Sequence, residues 1–161
     1  MNNLSIVKTL VWPDEAATEA FAHQWASVLS SSPNAPTACL ALHGNLGAGK
    51  TTLVRHFLRA LGVTGRIKSP TYAVVESYEV KPQDWPVWHF DFYRFSDPRE
   101  WEDAGFRDIF ASVGLKLCEW PQNAAGVMPT PDLELDIQVD DAEQRQVRIR
   151  ALTPRGQELL A

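Results

Sequence analysis

Thr37-Ala38-Cys39-Leu40-Ala41-Leu42-His43-Gly44-Asn45-Leu46-Gly47-Ala48-Gly49-Lys50-Thr51-Thr52-Leu53-Val54 is the stretch that decides the fold. Thr37 to His43 is short and continuously apolar, as expected of a strand covered on both faces. Gly44 to Gly49 is a glycine-rich turn. Leu53, Val54, Phe57, Leu58 and Leu61 then recur at helical spacing, and Gly62 offers a C-terminal cap. Residues 44–51 match G-x4-G-K-[ST] in full, with strand before and helix after. Glycines permit positive φ and let consecutive backbone N–H groups approach a phosphate chain. The helix that follows adds its positive end. Lys50 has the reach for β and γ oxygens, and the Thr51 hydroxyl suits a magnesium ion. The pattern predicts a phosphate-binding P-loop.

Upstream of the loop, Leu4 to Trp12 is β-rich and ends at Pro13. Asp14 and Glu15 favour a helix start, and Ala16/Ala17, Ala20/Phe21, Trp25 and Val28/Leu29 predict an apolar stripe to about Ser30. Ser30 to Pro36 is a polar, helix-breaking loop. Downstream, Tyr72 to Val80 predicts a strand, Lys81 to Asp84 a turn, and Val87 to Phe92 its partner. Short helical segments follow at Asp97-Pro98 and at Phe106 to Ala111, then an apolar strand at Leu115 to Cys118. In the tail Leu133, Leu135, Ile137 and Val139 alternate with polar residues, as do Val147, Ile149 and Ala151. A hairpin over about 132–152 would set acidic side chains against basic ones on its exposed face. Strand, loop and helix alternate in the first half and hairpins dominate later. We expect an α/β, P-loop NTPase-like three-layer fold, a mixed parallel and antiparallel sheet flanked by helices, in one domain over residues 1–161.

The 161 residues are 45% apolar and 22% charged, the balance of an ordinary globular domain that needs no crosslink or metal staple to fold. Fifteen Lys+Arg against 20 Asp+Glu leave a net charge of −5. That argues against affinity resting on many neutralised nucleic-acid phosphates. Cys39 and Cys118 have no metal-ligand spacing and lie in apolar runs, so buried free thiols are expected. No apolar run approaches the roughly 20 residues of a membrane span. Met1 to Leu4 lacks the basic start of a secretory signal, and a cytoplasmic protein with no membrane partner is expected.

A P-loop site needs an acid near the metal at the end of a neighbouring strand. Asp91, after Val87-Trp88-His89-Phe90, and Glu119, after Leu115 to Cys118, both have that setting. Spacing does not assign which binds the ion and which orients water. Thr71, in Ser69-Pro70-Thr71-Tyr72, sits where a loop sensing the γ-phosphate could lie. His89, between Trp88 and Phe90, reads as a hydrogen-bonded structural residue. Arg55, Arg59, Arg66 and Lys68 read most simply as a solvated helix face, with a docking patch for an acidic partner or RNA as the alternative. Trp120 could wall a nucleotide pocket. A small-molecule kinase is the main rival, with Phe95 to Ala111 as its lid. A guanine-nucleotide switch lacks an Asn-Lys-x-Asp sequence, and a non-catalytic nucleotide-binding module is the third alternative.

Four blocks carry a resemblance: Gly-Asn-Leu-Gly-Ala-Gly-Lys-Thr-Thr at 44–52, Lys-Ser-Pro-Thr-Tyr at 68–72, His-Phe-Asp-Phe-Tyr-Arg at 89–94 and Cys-Glu-Trp-Pro at 118–121. In that order they resemble the TsaE (YjeE) family of bacterial P-loop ATPases, needed to make threonylcarbamoyladenosine in tRNA. The likeness runs from about Pro13 to Pro121 and weakens in the tail. It implies ATP bound across Gly47, Ala48, Gly49, Lys50, Thr51 and Thr52, with Mg2+ on Thr51 and Glu119. It also implies that Asp91 and Trp120 bear on activity and that Glu15 lies near the nucleotide. With Lys50, the two acids form the expected catalytic set. The family further implies weak intrinsic hydrolysis and work with TsaD and TsaB, with tRNA met through that complex.

Overall fold

The computed structural model describes residues 7–31 and 34–160. Leu4 to Ile6 of the expected first strand and Ser32-Pro33 of the expected loop lie outside them. The chain runs β1 (Val7–Trp12), α1 (Glu15–Leu29), β2 (Ala38–His43), α2 (Lys50–Leu61), β3 (Val75–Val80) and β4 (Trp85–Asp91). It continues through α3 (Pro98–Asp103), α4 (Phe106–Ala111), β5 (Leu115–Glu119), a 3-10 turn (Pro121–Ala124), β6 (Leu133–Val139), β7 (Arg145–Ala151) and α5 (Pro154–Leu160). All seven strands form one sheet, ordered β1-β7-β6-β2-β5-β4-β3.

β2 runs parallel to β5 and β6, and β4 parallel to β5, whereas β3, β7 and β1 add antiparallel hairpin pairings. The mixed α/β sheet is as expected. β2 is buried along nearly its whole length, because both of its faces are covered. One face packs α1 and α2, with Phe57, Leu58, Leu40, Leu117 and Leu135 in the same core as Leu159 and Leu160 of α5. The opposite face holds an aromatic core of Phe90, Phe92, Phe95, Trp101 and Phe106. That second core covers the β2-β5-β4 side only. Over β6 and β7 this face carries charge instead, with Glu134 opposite Arg150 and Asp136 opposite Arg148 in the register. Arg150 reaches Glu134 at 3.0 Å.

Three element expectations shift. The Tyr72–Val80 strand begins only at Val75, because Thr71 to Ala73 form a turn in which the Val74 N–H donates to the Pro70 carbonyl at 2.7 Å. Val74 itself has φ +70°, off the extended backbone a strand needs. β4 starts earlier than Val87 and includes Pro86. Its pairing with β5 begins at Val87, so the missing proline N–H lies where only β3 is alongside. On α1 the buried line is Thr18, Phe21, Ala22, Ala26 and Leu29, while Ala16, Ala20 and Val28 are exposed. Phe21 sets the phase there, because burying a large ring outweighs burying an alanine methyl.

The parallel strands β2, β4, β5 and β6 all end at one rim, the edge where open α/β sheets place ligands. β1 ends and β7 begins at the same rim, since Trp12 and Val139 both pair with Arg145.

Candidate functional site

The turn at that rim is shaped by its glycines. Gly44 has φ +150°, and a Cβ there would lie 2.6 Å from the Ile137 carbonyl oxygen, so β6 closes the space a side chain needs. Gly49 has φ +109° and caps α2. The α2 axis therefore starts at the turn, with its unpaired N–H groups at the rim.

Lys50 is the first residue of α2 and is 4% exposed. Its ammonium donates to the Gly44 carbonyl and lies 3.9 Å from the centre of the Trp120 ring. Burial lowers its pKa, and the charges of Glu119 and Asp91 oppose that shift. Trp120 can face Lys50 because its backbone adopts φ +56°, turning the chain sharply after β5. Tyr93 flanks the same indole, with ring centres 5.0 Å apart.

Asp91 and Glu119 are register partners at the ends of β4 and β5, and both are buried. The structure separates them by their hydrogen bonds. Thr51 Oγ1 donates to Glu119 at 2.9 Å to Oε1 and 3.1 Å to Oε2. Asp91 accepts from the Tyr93 N–H at 2.9 Å and from Thr71 Oγ1 at 3.3 Å. Glu119 is thus the acid that meets the Thr51 hydroxyl. Asp91 is tied to the Ser69–Thr71 turn, where the two hydroxyls lie 2.8 Å apart. Phe90 and Phe92, both fully buried and stacked at 5.5 Å, fix the strand on either side of Asp91. Burial of each ring contributes roughly 2–3 kcal/mol, so the acid rides on a rigid element.

One cleft collects Gly47, Gly49, Lys50, Thr51, Thr52, Thr71, Asp91, Tyr93, Glu119, Trp120 and Arg145. A second, around Trp12, Glu15, Thr18 and Ala48, shares Gly49, Thr52 and Arg145 with it. The expected nucleotide, metal and catalytic residues, Glu15, Gly47 to Thr52, Thr71, Asp91, Glu119 and Trp120, therefore line one or other of two adjoining clefts around the turn. Glu15 is exposed, with its carboxylate 2.8 Å from His56 Nε2.

Three lining or supporting residues were missed as site residues. Arg145 donates through Nε to the Ala48 carbonyl at 3.2 Å, bracing the turn from β7. In the sequence it is only the first residue of an alternating strand. Tyr93 was visible inside the His89–Arg94 block but had no assigned role. His89 is hydrogen-bonded through Nε2, and its partner is Glu119 at 2.6 Å. The basic residues Arg55, Arg59, Arg66 and Lys68 are all exposed, and both cysteines are buried and free.

A hydroxyl beside a carboxylate, with a second carboxylate adjacent, is an oxygen donor set that suits Mg2+. Among the described residues no cluster of three or more His, Cys, Asp or Glu forms a metal cage. Magnesium commonly takes one or two carboxylates and completes its shell from phosphates and water, so the site fits an ion that arrives with a nucleotide.

A family profile described as threonylcarbamoyl adenosine biosynthesis protein TsaE matches residues 12–147. The chain belongs to the TsaE family. It is 36% identical over 149 residues to the tRNA threonylcarbamoyladenosine biosynthesis protein TsaE of Haemophilus influenzae, covering 92% of each chain. It is 33% identical over 120 residues to the TsaE protein of Bacillus subtilis, covering 74% of this chain and 73% of that one. In fold it is similar to the crystal structure of Bacillus subtilis YdiB, with a TM-score of 0.78 at 24% identity, over 99% of this chain and 95% of that one. The TsaE profile ends inside β7, so the match takes in both the P-loop and Arg145.

Proposed function

We propose that this chain serves in threonylcarbamoyladenosine synthesis as a Mg2+-dependent ATPase of low intrinsic activity. It would act with TsaD and TsaB on adenosine 37 of ANN-decoding tRNAs. One observation carries the reading. Thr51, Glu119, Lys50 and Asp91, drawn from three separate elements, converge on one cleft at the head of the P-loop helix.

The turn amides and the N-terminus of α2 hold the phosphates, and Lys50, whose ammonium lies at the Gly44 carbonyl, neutralises their charge. Thr51 and Glu119 would hold Mg2+, which when bound supplies Lewis-acid stabilisation of charge on the phosphates. Asp91, held by the Tyr93 N–H, is placed to orient the attacking water. Trp120 stacks over the lysine and shields that side of the cleft. Thr71 links the nucleotide to the surface. Its hydroxyl touches Asp91, and its neighbour Tyr72 stands 82% exposed beneath the Arg94 guanidinium, 4.4 Å from the ring centre. Triphosphate binding would order this ridge into a partner-binding face and hydrolysis would release it.

The kinase alternative loses support because its lid is not free. Phe95, Trp101 and Phe106 are buried in the aromatic core. Arg99 is engaged with Asp97 at 3.1 Å.

Reconstituting tRNA modification with and without this chain, while following ATP, tests the proposal. Modification that requires the chain and releases phosphate is expected. Full modification in its absence, or transfer of the phosphate to a small metabolite, contradicts it.

A further inference from the structure

His89 lies two residues before Asp91 on β4 and points to the same sheet face. It pairs in register with Leu117, two residues before Glu119 on β5, and reaches diagonally to the Glu119 carboxylate. The ring is 1% exposed, and Nε2 lies 2.6 Å from Oε2. An ionised carboxylate only accepts, so Nε2 carries the proton. Nδ1 is buried and has no hydrogen-bond partner among the described residues.

A histidine is a costly residue for an interior, where an apolar side chain of similar volume would pack with no polar atom to satisfy. Here Nε2 is committed to Glu119 at 2.6 Å, and the geometry serves the carboxylate. Glu119 stands beside a second acid, Asp91; its Oε2 is met by His89 at 2.6 Å and by Thr51 at 3.1 Å, and its Oε1 by Thr51 at 2.9 Å, so the two side chains together fix the carboxylate's rotamer. We propose that His89 is a positioning residue: its Nε2–H occupies one Glu119 oxygen and locks the carboxylate in the orientation that, with Thr51, receives Mg2+. The inference rests on the nucleotide reading above and extends it by one residue.

The test is calorimetric titration of the full chain with ADP, first without metal and then at increasing Mg2+. It compares the native protein with His89→Leu, His89→Asn and His89→Gln. The glutamine amide reaches the Nε2 position, whereas asparagine is one methylene too short. Metal-free ADP affinity should stay within about twofold in every variant, because the turn and Lys50 are untouched. The Mg2+ concentration for half-maximal effect should rise about tenfold or more in His89→Leu and His89→Asn, and His89→Gln should restore it to within about threefold. Native Mg2+ dependence in His89→Leu or His89→Asn overturns the inference, as does a glutamine variant no better than asparagine. If His89→Leu does not fold, the asparagine and glutamine pair decides; if none folds, His89 is a packing residue and the inference fails. Failure of the native protein to bind ADP would instead overturn the nucleotide reading itself.

Discussion

The Lys50 ammonium donates to the Gly44 carbonyl of the glycine-rich turn and feels the charges of Glu119 and Asp91. Its place in the site was legible because the motif that holds it, Gly49 and Thr51 included, is local. Glu119 is different. Its contact with Thr51 joins residues 68 apart, and the sequence showed two equivalent acids. Only the strand order, with β5 beside β2 and β4 beyond it, brings Glu119 to the Thr51 hydroxyl and Asp91 to that of Thr71. We predict that Glu119→Ala lowers single-turnover hydrolysis by roughly a hundredfold or more, the scale of a lost metal ligand or water-orienting group, while nucleotide affinity changes far less. Equal losses in both would show that Glu119 acts in binding alone. A second buried lysine, Lys116, lies away from the cleft, donates to the Ser112 carbonyl and sits near the Trp88 ring. Burial lowers its pKa below the usual 10.5. Between the folded value and 10.5 the unfolded chain therefore holds the extra proton, so this group's contribution to stability rises as pH rises through that window. In urea unfolding from roughly pH 8 to 10.5, Lys116→Met should have a smaller upward slope than the native chain. Parallel curves would contradict that.

Elements were legible where one period dominated. The buried strand β2, the α2 stripe ending at Gly62 and the β6–β7 hairpin follow directly from their patterns. The start of β3 did not. Tyr72 and Ala73 extend the strand pattern, but Thr71 to Ala73 form a turn, closed by the Val74 N–H on the Pro70 carbonyl, that overrides it and delivers Thr71 to Asp91. The phase of α1 was blurred by alanines, which tolerate either face. Its start was not, since Asp14 accepts from the Ala17 N–H at 2.9 Å. Asp14→Ala should cost about 1 kcal/mol, a loss of a few degrees in Tm measured by calorimetry. A neutral substitution would mean that the α1–α2 packing fixes the helix end without its cap.

Across the whole molecule, the groove exists because β1 and β7 return to the rim where β2 ends. Arg145 reaches the turn only through that order, with β6 between β7 and β2, so no local pattern could reveal it. The same arrangement sets Thr71 in the cleft with Tyr72 and Arg94 on the surface beside it, and the proposed nucleotide binding would couple the cleft to that surface. Affinity for the TsaD–TsaB pair should therefore differ between an ATP analogue and ADP, because a ligand shifts an equilibrium only through unequal affinity for its states. Equal affinities in a pull-down titration would remove the switch and leave the ATPase. The claim beneath all of this is that the Gly44–Thr51 turn and the Lys50 ammonium bind a nucleotide triphosphate. Calorimetric titration with a non-hydrolysable ATP analogue and Mg2+ tests it most directly. The account predicts one saturable site per chain, abolished in Lys50→Ala; no heat from the native protein, or an undiminished signal from the variant, would contradict it.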